Sequence, residues 1–214
     1  MLRRITAIEP QKRIGSKRVN VFLDGSFAFS LQDELAARLT PGSFLSDAEI
    51  AAYQHEDDSY RVLDAALTLL SYRPRSVFEL RSRLLRKGFE SGHIEDALER
   101  LKRMGVVDDA DFAQFWVENR QRHRPRGGRL LQAELRAKGI ERDVIESVLP
   151  DEQEEDAAAY RVAQRKARSL DGLDWQTFRK KLGDHLVRRG FGYETANYTV
   201  KKLWQELHPD DDDL

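Results

Sequence analysis

The hydrophobic positions of the chain repeat with a helical spacing that leads to a glycine. Leu80 and Leu84 precede Gly88 by eight and four residues, which places both leucines on one face of a helix. The same spacing recurs in steps of 51 residues, as Leu131, Leu135 and Gly139 and then as Leu182, Leu186 and Gly190. A fixed period that is carried by several core positions predicts a tandem array of helical repeats.

Each of these glycines is followed by an apolar residue, in the pairs Gly88-Phe89, Gly139-Ile140 and Gly190-Phe191. Glycine is favoured directly after a helix because the backbone there adopts a left-handed conformation that strains other residues. The apolar residue of such a Schellman cap packs back onto the last turn of the helix. The sequence therefore predicts three helices that end in the same cap, each followed by another helix.

A further helix precedes this pair in every copy, so each repeat is predicted to contain three helices. The first helices are expected over residues 60–71, from about residue 111, and over residues 157–169. The loops Arg73-Pro74-Arg75 and Arg124-Pro125-Arg126 are also 51 residues apart, whereas the third copy lacks this loop, as terminal repeats often depart from the consensus. We place the repeats at residues 58–107, 108–156 and 157–207, and an acidic tail at residues 208–214.

The N-terminal segment, residues 1–57, follows a β pattern before it turns helical. Strands are predicted over residues 4–9, 19–23 and 27–31, with Asp24-Gly25 as a hairpin turn. Short helices are expected over residues 32–39 and 47–55, the second opened by a capping box of Ser46 and Glu49. The polar run Glu56-Asp57-Asp58-Ser59 is interpreted as a break. The predicted fold is mainly α: three three-helix repeats after a small α+β segment.

The composition limits the kinds of functional site that the chain can form. The chain has no cysteine, and its five histidines show no ligand spacing, so neither a metal site nor a cofactor is predicted. Gly15-Ser16-Lys17 lacks the rest of a phosphate-binding loop and is interpreted as a turn. No nucleophile and base stand together in a recognisable motif, so we do not expect an enzyme. Without an apolar signal or membrane segment, a cytoplasmic protein is expected. We also expect it to be a monomer.

Charge is segregated, although the formal net charge is only −1. Between residues 118 and 138, seven cations stand against two carboxylates. One interpretation is that these cations only form solvated helix faces. Cations at matching positions of the repeats instead favour a phosphate-rich or acidic partner. The candidate binding residues are Arg73, Arg75, Arg86, Lys87, Arg120, Arg122, Arg124, Arg126, Arg129, Arg136, Lys138, Arg188 and Arg189.

Insertion of the third helices into a DNA groove is disfavoured, because these helices carry carboxylates such as Glu95, Asp96 and Glu99 that would meet phosphates with like charge. Any contact with nucleic acid is expected from the middle helices and the Arg-Pro-Arg loops.

Six stretches carry a family resemblance: Arg73-Pro74-Arg75-Ser76, Glu79-Leu80, Leu84-Leu85-Arg86-Lys87-Gly88-Phe89, Met104-Gly105-Val106-Val107-Asp108-Asp109, Gln132-Ala133-Glu134-Leu135-Arg136-Ala137-Lys138-Gly139 and Arg188-Arg189-Gly190-Phe191. With them, residues 60–207 resemble the RecX family of recombination regulators. The resemblance implies a protein that binds the RecA recombinase and its nucleoprotein filament. It would inhibit filament growth, strand exchange, ATP hydrolysis and the coprotease activity of the SOS response. The alternative is a sequence-independent single-stranded DNA-binding protein.

Overall fold

The computed structural model describes residues 1–12 and 17–209. Most of the predicted turn at residues 15–17 and the four aspartates of the acidic tail lie outside the described residues. The strands are β1 (Leu2–Pro10), β2 (Arg18–Leu23), β3 (Ser26–Gln32) and β4 (Phe44–Ser46). The helices are α1 (Asp33–Ala36), α2 (Asp47–Tyr72), α3 (Val77–Arg86), α4 (Ser91–Arg103), α5 (Asp109–His123), α6 (Gly128–Ala137), α7 (Arg142–Val148), α8 (Glu152–Arg168), α9 (Trp175–Arg188) and α10 (Tyr193–Leu207).

The N-terminal strands form an antiparallel sheet in the order β3-β2-β1-β4. The three predicted strands are confirmed, and positive φ angles at Asp24 and Gly25 give the tight hairpin turn between β2 and β3. The pattern missed β4, which is only three residues long. The helix expected over residues 32–39 is also shorter than predicted: α1 covers only the four residues Asp33–Ala36.

The capping box of Ser46 and Glu49 is confirmed, but the predicted break after residue 55 is wrong. Helix α2 runs without interruption from Asp47 to Tyr72. The polar run lies inside this helix, and Asp57 is buried against the sheet. Its carboxylate, 3% exposed, accepts hydrogen bonds from the guanidinium of Arg18 at 2.7 and 3.2 Å and from the Gln32 amide at 2.8 Å.

The contacts divide the chain into two compact units, the first being Met1–Arg75 with Leu80–Val106 and the second Ser76–Glu79 with Val107–Leu214. The sheet and α2 share one core in the first unit, around Ile5, Val21 and Leu31. In the second unit, α5 to α7 enclose a core around Leu131 and Leu135, and α8 to α10 enclose another around Phe178 and Leu182. None of the described helices has the apolar length to cross a bilayer.

The predicted cap is present in all three copies. Gly88, Gly139 and Gly190 have φ angles of +84°, +74° and +90°. The next amide donates to a leucine carbonyl one turn back, from Phe89 to Leu84 at 3.3 Å, from Ile140 to Leu135 at 3.2 Å and from Phe191 to Leu186 at 3.2 Å. Each repeat therefore has three helices with a Schellman cap between the second and third.

The second unit holds the same docking contact twice, at positions 51 residues apart. The Ser76 hydroxyl donates to the Lys138 carbonyl at 2.7 Å, and the Gly127 amide donates to the Arg189 carbonyl at 3.0 Å. A side chain at Gly127 would meet the Gly190 carbonyl oxygen at 2.3 Å, so only glycine allows this approach. The contact ties the loop before α6 to the end of α9.

A candidate basic cleft in the second and third repeats

A basic cleft of about 870 Å³ opens in the second unit. It lies among the loop between α5 and α6, one face of α8 and the C-terminal turn of α9. Its charged and imidazole-bearing walls are His123, Arg124, Arg126, Arg161, Arg165, Lys166, His185, Arg188 and Arg189. Among the described residues that line it, none is acidic, so the cleft concentrates positive charge and favours an anion.

Helix α8 supplies Arg161 and Arg165, which lie one helical turn apart on the same face, and Lys166, which also lines the cleft. Its opposite side carries the buried alanines Ala159, Ala163 and Ala167, which are small enough for close packing against the neighbouring helices. The arginines and the lysine are therefore directed away from the core and remain exposed.

Helix α9 contributes its last turn, where His185, Arg188 and Arg189 lie near the negative end of the helix dipole. The hydrogen bond between the Gly127 amide and the Arg189 carbonyl holds the Arg-Pro-Arg loop next to this turn. The repeat contact that stabilises the array thus also brings Arg124 and Arg126 close to Arg188 and Arg189.

Burial and neighbouring cations together lower the pKa of two groups that line the cleft. Burial, followed by the charges of Arg120, Arg189 and Arg124, lowers the pKa of Arg126. Partial burial, followed by the charges of Arg189, Arg188 and Lys166, lowers the pKa of His185. Burial is the larger cause of both shifts, and the neighbouring cations add to it in the same direction.

Three of the predicted binding residues take part in a network inside the second unit. Glu134 accepts hydrogen bonds from Trp116 Nε1 at 2.7 Å, from Arg120 Nε at 2.9 Å and from the guanidinium of Arg126. Lys138 binds Glu79 at 2.7 Å and lies 3.9 Å from the centre of the Trp116 ring. Arg120 and Lys138 are thereby committed to internal contacts, whereas Arg126 reaches both the network and the cleft.

The remaining candidates are dispersed. Arg75 is 8% exposed and its Nε donates to the Leu69 carbonyl, so it stabilises its own loop. Arg73 donates to the Pro74 carbonyl. Arg86, Lys87, Arg122, Arg129 and Arg136 are exposed and are not lining residues of the cleft. Of the thirteen candidates, the cleft brings together Arg124, Arg126, Arg188 and Arg189.

The sequence prediction missed Arg161, Arg165 and Lys166, because α8 was interpreted only as the first helix of the third repeat. A signal was present in the spacing of these cations, which lie four and five residues apart on an otherwise alanine-rich helix. Their proximity to residues 124–126 could not be predicted, since it depends on how the repeats dock.

Four family models match the chain. They describe the N-terminal domain of the regulatory protein RecX, at residues 3–40, and the first, second and third three-helix domains of RecX, at residues 63–101, 108–149 and 153–200.

Relatives and solved structures agree with these matches. Regulatory protein RecX of Lactobacillus johnsonii is 30% identical over 211 residues, which is 97% of this chain and 77% of that protein. Its namesake in Bacillus licheniformis is 31% identical over 202 residues, covering 92% of this chain and 76% of that protein. A crystal structure of regulatory protein RecX matches the fold with a TM-score of 0.74 at 24% identity, over 94% of this chain and 99% of the other. The crystal structure of RecX from Lactobacillus salivarius gives 0.65 at 21% identity, over 69% and 97%.

Proposed function

Because the chain belongs to the RecX family of regulatory proteins, we propose that it binds RecA and its nucleoprotein filament and restrains their activity. The basic cleft is the contact surface of this proposal. Once bound, the protein inhibits filament growth, strand exchange, ATP hydrolysis and the coprotease activity of the SOS response. The proposal rests on binding alone and assigns no catalytic residue.

The observation that carries the proposal is the concentration of seven arginine and lysine side chains around one cleft, with no acidic residue among its described lining residues. A nucleoprotein filament offers phosphates and protein carboxylates together, and both are partners for guanidinium groups. The cleft is also supported from within, since the Gly127 to Arg189 hydrogen bond fixes the loop that carries Arg124 and Arg126.

The alternative, a general single-stranded DNA-binding protein, is less well supported by the cleft. Sequence-independent binding of single strands uses aromatic side chains on which bases stack. The described lining residues include two histidines but no phenylalanine, tyrosine or tryptophan. The cleft is suited to charged groups rather than to stacked bases, which favours a filament surface over bare DNA.

The experiment reverses the charge of three exposed cleft residues that lie outside the hydrophobic core, Arg124, Arg165 and Arg188, each to Glu. Inhibition of RecA strand exchange is then measured against protein concentration. We expect the concentration for half inhibition to rise by about tenfold or more, as for the loss of several charge-assisted contacts.

The matched control is Arg83→Glu, Arg103→Glu and Lys201→Glu, which removes three exposed cations outside the cleft and gives the same net charge. The control variant should inhibit nearly as well as the wild type, and circular dichroism should be the same for all three proteins. Equal weakening of both variants would mean that overall charge, and not the cleft, determines inhibition.

A further inference from the structure

A second, less polar groove lies in the third repeat, between α9 and α10. Its volume is about 450 Å³. The floor is formed by Gly183, Ala196 and Asn197, and the apolar walls include Trp175, Val187 and Tyr193. Val187 and Tyr193 are 48% and 69% exposed, so apolar surface is left uncovered at the rim.

The first repeat carries an ion pair at the equivalent position. Arg81 and Glu95 stand 102 residues before Gly183 and Asn197. The Arg81 guanidinium donates to the two carboxylate oxygens of Glu95 at 2.6 and 2.7 Å, which joins α3 to α4 across the surface. In the third repeat, one partner is replaced by glycine and the other by a neutral amide, and the groove is open.

Another replacement, at Ala196, leaves more space in the groove. Ile94 and Ile145, both buried, occupy the position of the first and second repeats that corresponds to Ala196 in the third. The alanine side chain has three fewer carbon atoms than that of isoleucine, and Ala196 is a lining residue of the groove. Three replacements on facing helices, at positions 183, 196 and 197, thus place smaller side chains along the same groove.

Packing does not explain Gly183. It lies inside α9, where glycine is a poorer helix former than alanine. A Cβ atom at this position would meet no heavy atom within 4 Å, and its φ angle is not positive. The helix could therefore carry a larger residue without strain, and the space above Gly183 is free for a group from outside the chain.

We propose that this groove receives an apolar side chain of a protein partner, from a segment that also carries carboxylates. The apolar walls match an aliphatic or aromatic anchor, as at the centre of protein interfaces. Arg179 and Lys180 are exposed and line the groove, and Asp184 is the one carboxylate among its described lining residues. The cations favour acidic residues beside the anchor. The inference rests on the proposed function in taking the partner to be a RecA subunit of the filament.

The test rebuilds the ion pair of the first repeat in the third. The double variant Gly183→Arg with Asn197→Glu fills the groove without changing the net charge. Its affinity for RecA filament, assembled on single-stranded DNA with a non-hydrolysable ATP analogue, is compared with that of the wild type. We expect the dissociation constant to rise by about tenfold or more, the effect of losing an interface anchor. Arg179→Glu with Lys180→Glu should also weaken binding, through the lost attraction to carboxylates.

The control is Arg81→Glu with Glu95→Arg, which swaps the ion pair of the first repeat and should leave the affinity unchanged. Gly183→Ala distinguishes a binding role of this position from a purely structural one, because stability and affinity should change in opposite directions. It should raise the thermal midpoint by about 2 °C, because alanine is the better helix former, and yet reduce the affinity for the filament.

The outcomes separate the groove from the proposed function. If the wild type binds the filament and the double variant binds equally well, the groove is not a docking site, and the regulatory function stands. If the wild type itself does not bind the filament, the proposed function fails, and the assignment of the groove to this partner fails with it.

Discussion

At the scale of single residues, three glycines with the same backbone conformation differ in what surrounds them. A Cβ atom at Gly139 would lie 2.5 Å from Cβ of Phe78, and one at Gly190 would lie 2.3 Å from Cβ of Leu130. At Gly88 it would meet nothing within 4 Å. The cap requires glycine in all three copies, but close packing requires it in only two.

Replacement of these glycines by alanine should therefore have unequal effects. Gly88→Ala should reduce the free energy of unfolding by about 1–2 kcal/mol, the cost of a left-handed backbone at a residue with a Cβ atom. Gly139→Ala and Gly190→Ala add steric overlap and should cost about 2–5 kcal/mol. Urea unfolding measures the difference. Three equal losses would show that Phe78 and Leu130 can move away from the added methyl group at little cost in free energy.

His185 gives the cleft a dependence on pH. Since burial and neighbouring cations lower its pKa, the folded protein binds a proton less readily than the unfolded chain. This residue therefore lowers stability as pH falls through the unfolded value of about 6.5. A bound anion would raise the pKa of His185, so anion binding should tighten over the same fall in pH.

Sulfate is a suitable probe, because its charge is constant in this range. NMR titration of the His185 ring with and without sulfate should show a higher pKa when sulfate is present, and the affinity for sulfate should increase as the pH falls toward the lowered pKa of His185 in the free protein. His185→Gln should lose much of that increase. An unchanged His185 pKa at saturating sulfate would place the anion outside the cleft.

At the scale of elements, a single carboxylate joins α5 to α6. Glu134, whose side chain is 15% exposed, accepts from Trp116, Arg120 and Arg126. Glu134→Gln removes the charge that pairs with two arginines, and we expect a loss of about 1.5–3 kcal/mol in the free energy of unfolding. Glu118→Gln, on an exposed face of α5, is the control and should change it by less than about 0.5 kcal/mol. A similarly small change at Glu134 would mean that the network is only marginally stabilising.

Elements were predictable where local chemistry determines them. The leucine spacing and the glycine caps gave three helices per repeat, and Asp24-Gly25 gave the hairpin, because these signals lie within a few residues of the structure they form. The interruption of α2 was wrongly predicted because the polar run that contains Asp57 was interpreted as a break. The partners of Asp57 are Arg18 and Gln32, which lie 39 and 25 residues away in the chain, and local pattern carries no information about them.

The candidate site was predictable only in part for the same reason. The basic loop at Arg124 and Arg126 and the pair Arg188 and Arg189 stood out as clusters in the sequence. The sequence does not show that α8 lines the same cleft, or that Arg120 and Lys138 make internal contacts with Glu134, Trp116 and Glu79. Both depend on docking between helices that lie far apart in the chain.

We propose that the molecule as a whole is a regulator that recognises a filament of protein and nucleic acid. Carboxylates on the third helices lie within the same repeats as the cations of the cleft, a mixture that suits a partner of mixed charge better than a uniform polyanion. Affinity for RecA filament should therefore exceed affinity for bare single-stranded DNA, while both decrease as salt is raised.

The most direct test measures both affinities by fluorescence anisotropy across one salt series, with the nucleotide analogue that maintains the filament. We expect tighter binding to the filament at every salt concentration, and a steeper salt dependence for bare DNA, where phosphate contacts alone hold the protein. Equal affinities with equal salt slopes would contradict this expectation, since they would show that the protein recognises phosphate alone.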